Sequence, residues 1–237
     1  MINIYGSHTT LDELKTVQLK TPAKAGGLWK GISHHHLATT IMDELETRGI
    51  EVEKSQFSLA KKGANCVGAF DLNIPSIDSP EGTQYSLGFM NYNDLCKPLE
   101  LISGANVTIC HNGMVTGTQI LRKRHTHGLQ LFNQIDAAVS AYLQQITSLE
   151  QIIEDLKEFP IPKNKASDLI LEAGRRDLLP WTRIKEVDAE YRNPTHPEHG
   201  TGTRWALLQA FTQITKKSPP NRQMEMISNL QDFVMAA

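Results

Sequence analysis

The feature that most constrains this chain is a change of hydrophobic period near residue 129. Before it, Phe70, Leu72 and Ile74 alternate strictly with other residues, and Tyr85, Leu87 and Phe89 alternate again. After it, Phe132, Ile135, Val139, Leu143, Ile146, Leu149, Ile153 and Leu156 recur every three or four residues. Side chains of a strand point to opposite faces in turn, whereas a helix returns to the same face after 3.6 residues. The chain therefore predicts extended segments followed by one long amphipathic helix, which Pro160 and Pro162 end.

The other elements follow from local signals. Residues 1–32 read as an irregular segment, with Thr21–Gly27 as a breaker. Ser33 can cap a helix running to about Arg48, with Leu37, Ile41 and Leu45 on one face and Gly49 as its stop. Ile50, Val52, Phe57 and Leu59 lie on an extended run. The Lys61-Lys62-Gly63 turn then leads into Asn65–Ile74 as the second arm of a hairpin. Tyr85–Phe89 makes a third strand, and Val107 with Ile109 a short fourth that ends at Cys110. Helices are predicted near 165–174, 180–191, 202–216 and 222–235, with a loop between Asn193 and Gly202. Strands without intervening helices favour an antiparallel sheet. The expected class is α+β: an antiparallel sheet backed by a long helix, with a mainly helical C-terminal region. The expected division is 1–32 irregular, 33–160 an α+β core domain, and 161–237 a helical region packed on that core.

Composition narrows the function classes. The 237 residues are 40% hydrophobic, enough to bury a sizeable core, and the net charge is −2. Overall charge does not select a partner, so any binding face must come from local clustering. No apolar run approaches the roughly 20 residues needed to cross a bilayer. The start, MINIYGSHTT, lacks the pattern of a signal peptide. Three widely spaced cysteines, Cys66, Cys96 and Cys110, suggest neither a disulfide framework nor a zinc site. A cytoplasmic protein that does not enter membranes is expected.

The stretch Cys110–His127 is the most unusual. Arg122-Lys123-Arg124-His125-Thr126-His127 packs three positive charges and two histidines into six residues. Such a cluster suits a phosphate backbone, because each neutralised phosphate releases counterions and arginine offers a planar fork. The alternative is a solvated basic turn before the long helix, although cations are disfavoured at a helix N-terminus. Cys110-His111-Asn112-Gly113 carries a strong turn signal at Asn-Gly. Cys110 and His111 would point to opposite faces of a strand, so a structural turn is favoured over a nucleophile. His34-His35-His36 would fan out around a helix and could not all reach one ion. No HExxH, GxxxxGK[ST], GxGxxG or GxSxG pattern is present. The chain is expected not to be an enzyme and to need no metal or other cofactor.

Several motifs together resemble the phage/plasmid-like protein family, a domain of unknown function carried by mobile elements. They are Asn91-Tyr92-Asn93-Asp94, Leu101-Ile102-Ser103-Gly104, Cys110-His111-Asn112-Gly113, Arg122-Lys123-Arg124-His125-Thr126, and Trp205 with Gln209-Ala210-Phe211-Thr212. The resemblance covers about residues 30–215. His36, Leu95 and Gln209 depart from the residues common there. Members look like accessory genes, which implies DNA transactions or counter-defence. The order of elements is also similar to that of single-strand annealing proteins, where a basic groove at the sheet–helix junction holds single-stranded DNA and subunits form rings.

The resemblance implies a nucleic-acid-binding accessory protein, with single-stranded DNA favoured and annealing or recombination as its task. The expected binding residues are Arg122, Lys123, Arg124, His125 and His127, with Asn91 and Tyr92 at a strand end and Asn112 in the turn. Tyr85, Phe89 and Tyr92 are the candidate stacking surfaces. A homo-oligomer is expected, in the host cytoplasm if the gene is phage-borne. A protein-binding counter-defence factor is the alternative, and a metal-dependent enzyme built on the histidines comes third.

Overall fold

The structure of the protein, a computed structural model, describes residues 7–75, 77, 83–107, 114–216, 218 and 220–236. Among them, six strands form one antiparallel sheet in sequence order: β1 Ser7–Thr9, β2 Glu51–Ala60, β3 Asn65–Asn73, β4 Thr83–Tyr92, β5 Leu99–Val107 and β6 Met114–Lys123. Each strand pairs with its sequence neighbour, and among the described residues no α-helix lies between β2 and β6. Before the sheet's main body come α1 Leu11–Leu14 and α2 His34–Thr47. After it come α3 Leu131–Glu158, α4 Lys163–Arg175, α5 Ile184–Arg192, α6 Arg204–Thr215 and α7 Pro220–Met235. The α+β architecture with its helical C-terminal region is thus as the sequence predicts.

Local chemistry sets the boundaries. The Ser33 hydroxyl caps α2 by accepting from the His36 backbone N–H, and Gly49 ends that helix at φ 71°. The β2–β3 turn places Lys61, Lys62 and Gly63 in succession at φ 50°, 57° and 84°. Two lysines in the left-handed region are strained, and the turn they make is held from outside by Asp94, which accepts from Lys61 Nζ.

The sheet has two unlike faces. Phe57, Phe70, Leu72, Tyr85, Leu87, Phe89, Leu99, Leu101 and Leu121 are buried in one core with Leu37, Ile41 and Leu45 of α2 and Ile135, Val139, Ile146 and Ile153 of α3. The same core takes in the tail helices through Ile170, Val187, Leu208, Phe211 and Leu230. The opposite face carries a smaller cluster of Val67, Ala69, Met90, Tyr92 and Ile102. The tail is also tied to the end of α3. Ile161 N–H donates to Gly202 O at 2.7 Å, and the Tyr191 hydroxyl donates to Ile161 O at 2.7 Å.

Three elements lie where the sequence pattern does not announce them. β1 and α1 fall within the first 32 residues, α1 being opened by a reciprocal cap between Thr10 and Glu13. β6 is the third. Its run MVTGTQILRK has no clean alternation, because register shifts at Leu101/Ile102 and Ala105/Asn106 offset it against β5. The same pairing starts β5 at Leu99, well before the Val107–Ile109 segment that the sequence suggests. Ile109 to Gly113 lie outside the described residues.

The aromatic centre of the core is closely set. Phe57, Phe70 and Phe89 have ring centroids 5.8 to 6.2 Å apart. Gly68 lies against them, and a Cβ there would overlap the Phe89 ring and sit 2.9 Å from Phe57 Cδ1. Gly68→Ala should therefore destabilise the fold by about 1–3 kcal/mol, the usual result of overfilling a packed core. A urea unfolding curve measures this, and an unchanged midpoint would contradict the packing.

Candidate nucleic-acid interface

The basic stretch leaves the sheet at the end of β6. Leu121 is buried, and its neighbour Arg122 turns outward opposite Glu100 of β5, with Nε 3.3 Å from Oε1. Lys123, Arg124 and His127 are exposed, whereas His125 is 5% exposed. The stretch is therefore a row of outward cations fastened by one inward histidine.

That histidine ends a buried relay of hydrogen bonds. The Gly63 carbonyl can only accept, so His34 Nε2, 2.9 Å away, carries the hydrogen. His34 Nδ1 is then an acceptor and takes an Asn91 amide hydrogen at 2.9 Å. The other Asn91 amide hydrogen goes to Ile32 O at 2.9 Å. Asn91 Oδ1 accepts from His125 Nε2 at 2.7 Å. Asn93 repeats the grip on Ile32, donating to its carbonyl at 2.8 Å and accepting from its N–H at 3.0 Å. Burial pushes His125 down to about 4, with the nearby His34 ring adding to the effect. Burial also lowers His34, against the opposing pull of the Gly63 carbonyl. The acceptor role of Nδ1 requires His34 to be uncharged, and burial favours the uncharged form of both rings at neutral pH.

The next residue of the Asn91–Asp94 run shapes an outer turn. Asp94 accepts from Lys61 Nζ at 2.6 Å, Asn65 Nδ2 at 3.0 Å and Cys96 N at 3.1 Å. Burial alone would raise this carboxyl, but these hydrogen bonds outweigh it and hold it well below the usual range. Asp94 thus links the strained β2–β3 turn to the segment Leu95–Pro98, where Leu95 is held at φ 66°.

A third segment closes the arrangement. Residues 28–30 run antiparallel to 125–127, with Trp29 bridged to Thr126 and His127 N–H donating to Leu28 O at 3.0 Å. Between this strap and the Leu95–Pro98 turn lies a cleft of about 780 Å³. Leu28, Trp29, Lys97, Arg122 and Arg124 line it. Beyond the turn, a hollow of about 460 Å³ reaches Ser228 and Asn229 of α7, and Cys96, Lys97, Pro98 and Arg122 line both. The two form one groove along the basic end of the sheet. The Trp29 indole N–H is buried there without a hydrogen-bond partner, an arrangement that costs roughly 1–3 kcal/mol.

The eight residues expected to bind are therefore divided. Arg122, Lys123, Arg124 and His127 are exposed, and of these Arg122 and Arg124 line the cleft. Asn91 is 0% exposed and fully engaged in the relay. His125 spends Nε2 on Asn91, so it supports the cleft wall rather than offering that nitrogen to a ligand. Tyr92 is buried on the opposite face, its hydroxyl on Met90 Sδ. Tyr85 and Phe89 are buried too, so neither presents a ring for stacking. Asn112 lies outside the described residues. Of the consecutive histidines, His34 is a buried structural group. Among the described residues no group of three or more His, Cys, Asp or Glu side chains could hold a metal ion, and no helix is long and apolar enough to cross a membrane.

Trp29 and Leu95–Pro98 are the parts of the groove that sequence patterning passes over. The signal for Trp29 is a large apolar pair, Leu28-Trp29, set among glycines in a polar run. Lys97 has no such signal, since only the Asp94 turn brings it near Arg122.

The molecule is thus an antiparallel meander backed by helices, with a groove lined by cations at one end of the sheet. A model for a domain of unknown function (DUF932) matches residues 89–233, more than half of the chain, and the protein belongs to that family. The match begins just before Asn91 and takes in the Leu95–Pro98 turn, the basic stretch and Trp205, whereas the strap and β1–β3 precede it. No curated protein and no solved structure matches the chain.

Two outcomes follow from the relay. Asn91→Ala strands His125 Nε2, His34 Nδ1 and part of the Ile32 carbonyl's bonding, each worth about 1–3 kcal/mol when buried. It should lower stability by roughly 3 kcal/mol or more in a urea titration. The second concerns pH. His34 and His125 have folded values below their ordinary 6.5, so the unfolded chain binds more protons in the window below it. Stability should be full above pH 6.5 and decline as pH falls toward 4. Thermal melts across that range would read the decline, and a flat profile would contradict the buried neutral rings.

Proposed function

We propose that this protein binds nucleic acid in the groove at the end of the sheet, with single strands favoured. The observation that supports this is the convergence of Arg122, Arg124 and Lys97 beside Trp29 in one cleft. Cations along a groove meet a phosphate backbone, and an aromatic ring among them meets a base. The overall charge of −2 fits a local footprint rather than a globally basic surface. The biological setting we propose is an accessory protein of a phage or plasmid, serving single-strand annealing or recombination. Assembly of several copies would join short grooves into a longer track.

The exposed rim leucines, Leu28 at 79% and Leu95 at 41%, favour a second reading, in which the same surface docks a host protein as a counter-defence factor. A pull-down with nuclease present separates the two. A host protein retained after nuclease treatment, with no oligonucleotide binding, selects the second.

Fluorescence polarisation with a labelled oligonucleotide at several salt concentrations tests the first reading. Affinity should fall as salt rises. Arg122→Ala/Arg124→Ala should weaken binding and flatten the log–log salt slope by about 1.4, since each single-strand phosphate contact contributes about 0.7. No binding at low salt, or a double variant that behaves as wild type, would overturn it.

A further inference from the structure

We infer that Trp29 is the stacking platform of this groove, and that the groove selects an unpaired nucleotide over a base pair. The inference rests on the nucleic-acid reading and goes further by naming the discriminating residue.

Among the described aromatic side chains, Trp29 is the one that lines the cationic cleft. Tyr85, Phe89 and Tyr92 are buried in the sheet. The exposed rings of Phe132, Phe159 and Trp181 do not line the cleft, and Phe159 is covered by the Arg204 guanidinium at 4.0 Å. Trp29 is half-buried.

Its position is fixed from several sides. The backbone is bridged to Thr126, two residues beyond Arg124. Three residues later the chain is clamped at Ile32 by Asn91 and Asn93. Gly31 lets the ring lie close, because a Cβ there would stand 2.9 Å from Trp29 Cη2 and 3.0 Å from Leu19 Cδ2. Arg124 is fixed by the same relay, since His125 directly follows it and hydrogen-bonds to Asn91. One polar network therefore sets both the ring and the Arg124 charge, which is what joint recognition of a base and its phosphate requires.

Selectivity follows from what the ring needs. A base stacks on an aromatic side chain only if one of its faces is free, and inside a duplex both faces are covered. The cleft volume of about 780 Å³ lies within the range that holds a small organic ligand, about 300–1,000 Å³. That is room enough for an extruded or single-stranded nucleotide. Leu28 and Leu95 at the rim supply apolar walls for the base edges.

The test uses the whole protein with Trp181→Phe, which leaves Trp29 and the buried Trp205 as emitters. Oligothymidylate should quench the emission on binding, and the same strand annealed to its complement should not. Trp29→Leu keeps apolar bulk without a π face and should weaken oligothymidylate binding about tenfold or more, while Trp29→Phe retains most of it. Duplex affinity should respond to neither substitution. Saturating oligothymidylate that leaves the emission unchanged overturns the inference, as does Trp29→Leu that binds like wild type. If Arg122→Ala/Arg124→Ala loses binding while Trp29→Leu keeps it, this inference fails and the nucleic-acid reading stands. If the wild type binds no oligonucleotide, both fall.

Discussion

The Asn91 carboxamide is the interaction on which the grooved end of this molecule depends. Its two hydrogens and its oxygen reach Ile32 before α2, His34 within α2, and His125 after β6. These groups are distant in sequence and are joined where water is excluded. In such surroundings an unmade hydrogen bond costs far more than it would at the surface, so the three segments hold one another in a single arrangement. The donors and acceptors match only if His34 is neutral with its hydrogen on Nε2 and His125 carries a hydrogen on Nε2. Burial favours that same state.

This relay explains why the basic stretch is not a loose solvated turn. His125 points inward, so Arg124 is held at the cleft, while Arg122 is positioned by its place on β6 and by Glu100. Asp94 performs a parallel task on the other wall, fixing the turn that brings in Lys97. The residues that make the groove and the residues that would touch a ligand are different sets. The first are amides, imidazoles and a carboxylate, and the second are the exposed Arg122 and Arg124, the half-buried Lys97 and one indole.

The rest of the fold supplies rigidity behind that groove. The meander places β6 at the sheet's edge, with the aromatic cluster of Phe57, Phe70 and Phe89 and the two long helical faces packed beneath the sheet. The close fit at Gly68 leaves little freedom for the strands to slide. The tail helices join the same core, and α7 extends the groove with Ser228 and Asn229.

The sequence by itself determined the architecture. Strict alternation at Phe70–Ile74 and Tyr85–Phe89, and the helical period from Leu129 to Leu156, are properties of neighbouring residues, and burial of one face follows from them directly. Caps at Ser33 and Gly49 are equally local. The sequence also marked the two runs that matter, Asn91–Asp94 and Arg122–His127, though it did not divide their labour. Burial of Asn91, Tyr92 and His125 depends on which face of which strand meets which helix, and that is a long-range fact. β6 was hidden because bulges on its partner break the alternation that would reveal it. Trp29 and Lys97 became part of a site only when backbone pairing with Thr126 and the Asp94 turn brought them beside Arg122. Local periodicity decides which faces are apolar. Only tertiary contact, in which distant polar groups must satisfy one another away from water, decides which charges converge.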